Sequence, residues 1–358
     1  MSTLKVDGIR SNSATSDAIT LANDGTCTAN ITNNLSNRNL IINGAMRIAQ
    51  RATSSTSSLY AAVDRFRMAY ALVDENPTSA QANVATDTTP YSLGFTKCLK
   101  VTNGNQTSGA GSSDRIAFEY RIEAQDVAGS GWDYQSTSGK ITLSFWIKSS
   151  VAQNFYFYLE TVDGTSYAYP METGTLSANT WTKVTKTIPG KQQLQFDNDE
   201  NLGLKLYFSY FTGTDYTDNS RALNTWDTYN SASRFPDNTS TWYTTNDATL
   251  EMTGLQLEVG SVATDFEHRS FGQELALCQR YYQGATTVGA GYGSSTGYAR
   301  AGCVYATPMR GTPTLTTTNT GSGSIIAADS SGTGFYVTYG SLGGSSAGIF
   351  NYVAAAEL

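Results

Sequence analysis

The strongest constraint on this chain is a period of two. Residues 115–123 read RIAFEYRIE, and Ile116, Phe118, Tyr120 and Ile122 all point one way. Residues 140–148 read KITLSFWIK, with Ile141, Leu143, Phe145 and Ile147 on one face and Trp146 on the other. Successive side chains of an extended chain face opposite sides, so this pattern predicts strands rather than helices. The alternation returns in 95–103, 154–160, 181–189, 202–211 and 248–259. About nine strand candidates fall between residues 40 and 260, at the spacing of a sandwich. Asp163-Gly164 marks a hairpin turn, with 165–169 as its returning strand. No fixed repeat period is present, which argues against a β-helix or propeller.

Composition agrees with an all-β fold. The chain has 358 residues, with 22 Tyr, 33 Gly, 7 Pro and a single His. Helix-forming runs of Glu, Lys and Ala are nearly absent. The net charge of -7 lacks the basic footprint that general nucleic-acid binding needs. Cys27, Cys98, Cys278 and Cys303 lie far apart with no CxxC pair, so they read as small hydrophobes rather than zinc ligands. No apolar core of a signal peptide follows Met1, and no run approaches a membrane span. The expectation is a chain folded in a reducing cytoplasm with free thiols and no membrane insertion.

Four units follow. Residues 1–38 carry two short extended pieces, at Leu4, Val6 and Ile9 and at Ala18, Ile19 and Leu21, among polar turns such as Asp24-Gly25. Such an arm cannot fold alone and is expected to add its strands to a partner. Residues 39–268 form the sandwich, entered through NLIINGAMRIAQR, where Asn43-Gly44 signals a turn. In LQLEVGSVATDFEHRSFGQELALCQRYYQ, residues 255–283, Leu255, Leu257 and Val259 alternate with Gln256 and Glu258 as in a half-buried strand that Gly260 and Ser261 stop.

A joint helix then occupies 269–284. Ser270 is its N-cap and Gln273 completes a capping box. Phe271, Leu275, Cys278 and Tyr282 share one face and are expected to be buried, with Gln279 and Gln283 wetter. Gly284 is placed to end the helix in the left-handed conformation. Residues 285–358 form a small β unit, with strands near 324–328, 334–339 and 349–354, expected to lean on the helix or a partner chain.

The pieces NLIINGAMRIAQR, Asp64-Arg65-Phe66, SFWIKSS, WTKVTKTIPG and the 255–283 string resemble those of tailed-bacteriophage fibre and virion appendage proteins, common in marine and cyanobacterial phages. The opening STLKVDGIRSNSATSDAITLANDGT is similar to their N-terminal attachment segments, and YATPMRGTPTL to their distal unit. Phe66 stands where the family often has Trp. The resemblance implies a jelly-roll β-sandwich like carbohydrate-binding modules, in a homotrimer, docked on other virion proteins through residues 1–38. It also leaves room for a structural calcium.

For chemistry the chain offers little. His268, between Glu267 and Arg269, has no fixed Ser or Cys partner for a triad and reads as orienting the joint. Asp197, Asp199 and Asn201 match the first, third and fifth positions of a calcium loop. Leu202 and Phe208 then break the pattern, leaving an acidic turn and no assigned metal or cofactor. The long segment 212–247 mixes aromatics with Asn and Asp. Trp226, Tyr229, Trp242 and Tyr243 are the glycan-binding candidates, because rings stack on pyranose faces while amides and carboxylates hydrogen-bond hydroxyls. The competing reading packs these rings into the fold or a subunit contact.

The expected function is a non-enzymatic virion appendage, assembled in the host cytoplasm, that adheres to a host-surface glycan. A ligand-free capsid or tail decoration protein and a glycan-depolymerising tailspike are the alternatives. The tailspike lacks a recognisable pair of carboxylates.

Overall fold

A computed structural model gives the structure of the protein, described here for residues 6–13, 15, 17–21, 27–29, 38–291, 297–321, 324–342 and 347–358. The predicted strands assemble into two six-stranded antiparallel sheets packed as a jelly-roll β-sandwich. The first sheet runs Asp227–Thr228, Tyr167–Glu172, Tyr156–Thr161, Leu202–Thr212, Arg115–Glu123, Phe66–Ala71. The second runs Thr182–Pro189, Lys140–Ser149, Thr249–Val259, Lys97–Thr102, Thr78–Asn83, Ser54–Ser55. The Asp163-Gly164 hairpin forms as its sequence dictates: Tyr156–Thr161 pairs with Tyr167–Glu172, and Gly164 takes φ 63°. The inward sets named from the alternation meet between the sheets. Phe145 of the second sheet meets Phe157 of the first edge-on at 5.5 Å, and Phe118 stacks on Phe208 at 5.5 Å. Each such ring, fully enclosed, contributes about 1.5–3 kcal/mol.

The segment after residue 38 is no strand. It is a plug fitted to a bulge. Strand Thr249–Val259 breaks register between Thr253 and Gln256, with Gly254 at φ 64°. The bulge releases backbone groups that residues 39–44 satisfy. Leu255 N–H donates to Gly44 O and Leu40 N–H to Leu257 O, each at 2.9 Å. Asn39 Oδ1 accepts from Leu257 N–H at 3.0 Å, and its amide donates to Leu255 O at 3.2 Å. A Cβ on Gly44 would lie 2.1 Å from Leu255 O, so only glycine fits. Asn43, at φ 61°, bonds both backbone groups of Ile48 and the carbonyl of Asp64.

The half-buried strand expected at 255–259 is part of strand Thr249–Val259, and at Gln256 and Glu258 it is buried on both faces instead. Gln256 and Glu258 are nearly inaccessible, while Val259 is exposed. Residues 264–267 fold over that outer face. Glu258 accepts from Thr264 N–H at 2.9 Å and pairs with Arg38 at 3.3 Å, and Gln256 Oε1 accepts from Glu267 N–H at 2.8 Å. Among the described residues no buried side-chain nitrogen or oxygen of 255–267 lacks a partner, as burial requires.

The joint helix is Phe271–Gln279, and both bonds of the Ser270–Gln273 capping box are present. Its buried face differs from the expected one. Cys278 is buried as predicted, but Phe271 is 51% exposed and Leu275 and Tyr282 are only partly covered. Glu274, Tyr281 and Gln283 are buried in their place. The cause is length. The helix ends at Gln279 with Arg280 as C-cap, and strand Tyr282–Gly291 starts at once, so Tyr282 and Gln283 obey strand rather than helix periodicity. Gly284 is therefore a strand residue and not a left-handed cap.

Two three-stranded sheets make the C-terminal unit: Tyr282–Gly291, Ala347–Ala355 and Thr314–Asn319 in one, and Gly297–Val304, Gly334–Leu342 and Ser324–Ser330 in the other. It has a small core of its own, centred on Phe335, Val337, Tyr339, Phe350 and Tyr352, so it does not depend on a partner chain for all its burial. The described pieces of residues 1–38 also pair with one another. Gly8–Ile9, Ile19–Leu21 and Cys27–Ala29 form a three-stranded antiparallel sheet that leaves Ile9 and Leu21 exposed. Leu4 and Asp24-Gly25 lie outside the described residues.

Sandwich, helix and C-terminal unit meet at Arg65. This side chain is 1% exposed. Its guanidinium stacks 3.4 Å from the Tyr281 ring, pairs with Glu357 at 2.7 Å and donates to Arg121 O at 2.7 Å. Arg51 holds the other Glu357 oxygen at 2.8 Å and covers the Tyr282 ring at 3.7 Å.

Candidate functional site

The glycan candidates of segment 212–247 do not form an open aromatic platform. Trp242 is 0% exposed and stacks on Tyr210 at 5.3 Å inside the sandwich. Tyr243 stacks on Phe211 at 4.3 Å, and its hydroxyl donates to Asp114 at 2.9 Å. Burial is the main cause that pushes this phenol well above the usual tyrosine range. Both rings belong to helix Thr241–Thr244, which dips into the core; Asn103 holds it by donating to the Tyr243 carbonyl at 2.5 Å. Trp226 is half-buried, packs on Tyr169 at 5.2 Å and donates its indole N–H to Pro189 O at 2.6 Å. Tyr229 is half-buried over Tyr158 at 6.0 Å. Stacking on a sugar needs a free ring face, and in Trp242 and Tyr243 none remains.

Two clefts lie instead on the outward faces of the sheets. The first, about 270 Å³, sits on the second sheet. Its floor is Trp146, the outward residue of KITLSFWIK, flanked across the ladder by Lys183 on one side and Thr253 on the other. Its wall is the segment after the bulge. Phe95, Phe266 and His268 pack ring against ring at 4.9–5.1 Å. Phe95 rests on Gly254, where any Cβ would meet the ring at 2.7 Å, so the bulge and its glycine make room for the aromatic wall. His268 is fixed through Nε2 to Leu93 O at 2.9 Å. Thus His268 has the orienting role read from sequence and also borders a cleft. The cleft combines half-buried rings with exposed Lys183, Asp265 and His268, the pairing of apolar and polar surface that pyranose recognition uses.

The second cleft, about 340 Å³, lies on the outward face of the first sheet. Ala69 lines it, while its cross-strand partner Ala117 is buried in a cluster with Tyr207 and Phe235. The next row is Arg67, Glu119 and Tyr207, paired strand to strand. Glu119 bonds Arg67 at 2.9 Å and Arg121 at 2.7 Å. Burial alone would raise its carboxyl, but Arg67, Arg121 and Lys205 outweigh it and hold Glu119 below the usual carboxylate range. Arg115 closes one end. Arg234, from segment 212–247, lies over Tyr207 at 5.4 Å and Tyr216 at 4.9 Å. The long loop does border a cleft, through Arg234 rather than its tryptophans. A sequence signal was available: Arg115, Ala117, Glu119 and Arg121 are the outward set of RIAFEYRIE.

The acidic turn at 197–201 binds itself. Asp199 accepts from the Asn201 backbone at 3.0 Å and amide at 2.6 Å. Among the described residues no group of three His, Cys, Asp or Glu side chains stands close enough to hold a metal, and no helix is long and apolar enough to cross a membrane. Cys98, Cys278 and Cys303 are free.

No family model and no curated protein matches this chain. Among solved structures it is similar to the enzymatically active domain of tailspike protein 4 of bacteriophage CBA120, at 9% identity and TM-score 0.33, over 62% of this chain. That alignment spans 21% of the tailspike domain. A putative sugar binding protein from Bacteroides thetaiotaomicron aligns over 62% of this chain and 100% of its own, at 12% identity and TM-score 0.33. A family 11 carbohydrate-binding module from Clostridium thermocellum aligns over 60% and 98%, at 12% identity and TM-score 0.25.

Proposed function

We propose that this chain is a non-enzymatic appendage subunit of a tailed-phage virion that holds a host-surface glycan in the Trp146 cleft. The observation that carries the reading is the cleft itself: a half-buried indole between Lys183 and Thr253, walled by Phe266 and His268. Among the described residues Asp265 is the one carboxylate lining it, whereas glycoside hydrolysis uses two flanking the scissile bond. The arm resembles fibre attachment segments, and exposed Ile9 and Leu21 give residues 1–38 an apolar edge for docking on another virion protein or for trimer contacts.

Purified protein incubated with host polysaccharide tests this. Retention without sugar release is expected, and Trp146→Ala should weaken it by about 1 kcal/mol or more in protein that still unfolds cooperatively, at a lowered melting temperature because the ring also packs on Phe95 and its neighbours. Sugar release would identify a depolymerase. No retention would leave a purely structural decoration protein. Virions built with the arm deleted should lack the protein.

A further inference from the structure

We infer that the arginine-lined trough on the first sheet is a second binding site, taking the acidic group of a carboxylated or sulfated sugar chain. Four guanidiniums, of Arg67, Arg115, Arg121 and Arg234, line it against the single carboxylate of Glu119. Glu119 is already shared by Arg67 and Arg121. Arg115 meets only the Tyr216 ring, at 5.1 Å, and pairs with no described carboxylate. Arg234 donates to Ser231 O at 3.2 Å and the Tyr207 hydroxyl at 3.3 Å, again with no acid.

This local excess of positive charge stands against a chain of net charge -7, so composition does not account for it. Guanidinium forks match the paired oxygens of carboxylate and sulfate, and partial burial strengthens such bonds. The small side chain of Ala69 leaves the acidic group space. Its volume lies at the small end of ligand pockets, which suits one or two sugar rings. Duplex nucleic acid or an anionic membrane needs a broad basic surface, which a net charge of -7 disfavours. The trough and the Trp146 cleft occupy outward faces of opposite sheets, so this inference stands apart from the proposed function.

Calorimetric titration of the full-length protein with oligogalacturonate, dextran sulfate, neutral dextran and polyglutamate tests it. Oligogalacturonate or dextran sulfate should bind, and which of them does identifies carboxylate or sulfate as the ligand group. Arg115→Gln and Arg234→Gln should each weaken that binding about tenfold, the loss expected for a charge-assisted hydrogen bond. The Arg115 side chain makes no hydrogen bond among the described residues, so R115Q keeps the test valid if R234Q disturbs the loop. Lys100→Gln, on the second sheet and outside both clefts, removes one positive charge and should change nothing here. Five results would overturn the inference: no binding of either acidic glycan, equal binding of neutral dextran, equal binding of polyglutamate, equal loss in K100Q, or unchanged binding in R115Q. Loss with Trp146→Ala alone would assign the sugar to the other cleft and leave the proposed function standing.

Discussion

Arg65 shows how a charge is kept in the interior. A buried guanidinium survives only when paired, and here Glu357, the Arg121 carbonyl and the Tyr281 ring surround it. Arg65→Met should cost about 3–5 kcal/mol in urea unfolding, since it strands Glu357 beside a single remaining arginine. Asn43 answers a different question. Asn43→Gly keeps the positive φ but loses three side-chain bonds, so it should be destabilised nearly as much as Asn43→Ala; rescue by glycine would make backbone strain the cause instead. Burial, then nearby Glu251, pushes the Cys98 thiol up to about 12, and burial raises Cys278 too. At neutral pH neither should react with iodoacetamide in the folded protein. The depressed carboxyl of Glu119 stabilises the fold above the ordinary carboxylate range, and that contribution is lost as pH falls through its folded value. The acid limb of a stability-against-pH curve should therefore be shallower in Glu119→Gln.

Among elements, the joint helix separates what periodicity shows from what it hides. Tyr281→Ala should cost about 3–5 kcal/mol, by analogy with enclosed aromatics, while Phe271→Ala should fall within about 0.5 kcal/mol of wild type. Ser270→Ala should cost about 1 kcal/mol through the cap. A larger loss at Phe271 than at Tyr281 would mean the helix packs on its predicted face. The cap was legible because it is local: Ser270 and Gln273 are three residues apart. The buried face was not, because the switch to strand at Tyr282 depends on pairing with Ala355, remote in sequence. The inward strand sets were legible for the same local reason. Both-sided burial of Gln256 and Glu258 was not, since the cover comes from residues 264–267 and Arg38. In segment 212–247, aromatic composition marked a loop worth attention but not which rings turn inward. Trp242 turns in because its helix is tied to Asn103, a contact no spacing encodes. The trough escaped notice because its arginines come from three separate stretches.

At the scale of the molecule, the last residue of the arm is tied to the sandwich. Arg38 already pairs with buried Glu258, so deleting 1–37 should leave the melting temperature near that of the full chain, whereas deleting 1–38 should lower it. The opposite end has a mechanical consequence. The C-terminal unit leaves the sandwich through Tyr281 and returns to it at Glu357, gripped there by Arg51 and Arg65. A module joined at one point swivels freely, but one joined at two points transmits twist. Tension on its far side is divided among the covalent chain, the two ion pairs and the bonds of Arg310 to Glu200 O and of Arg121 to Leu358 O, so a turn of the unit passes to the sandwich.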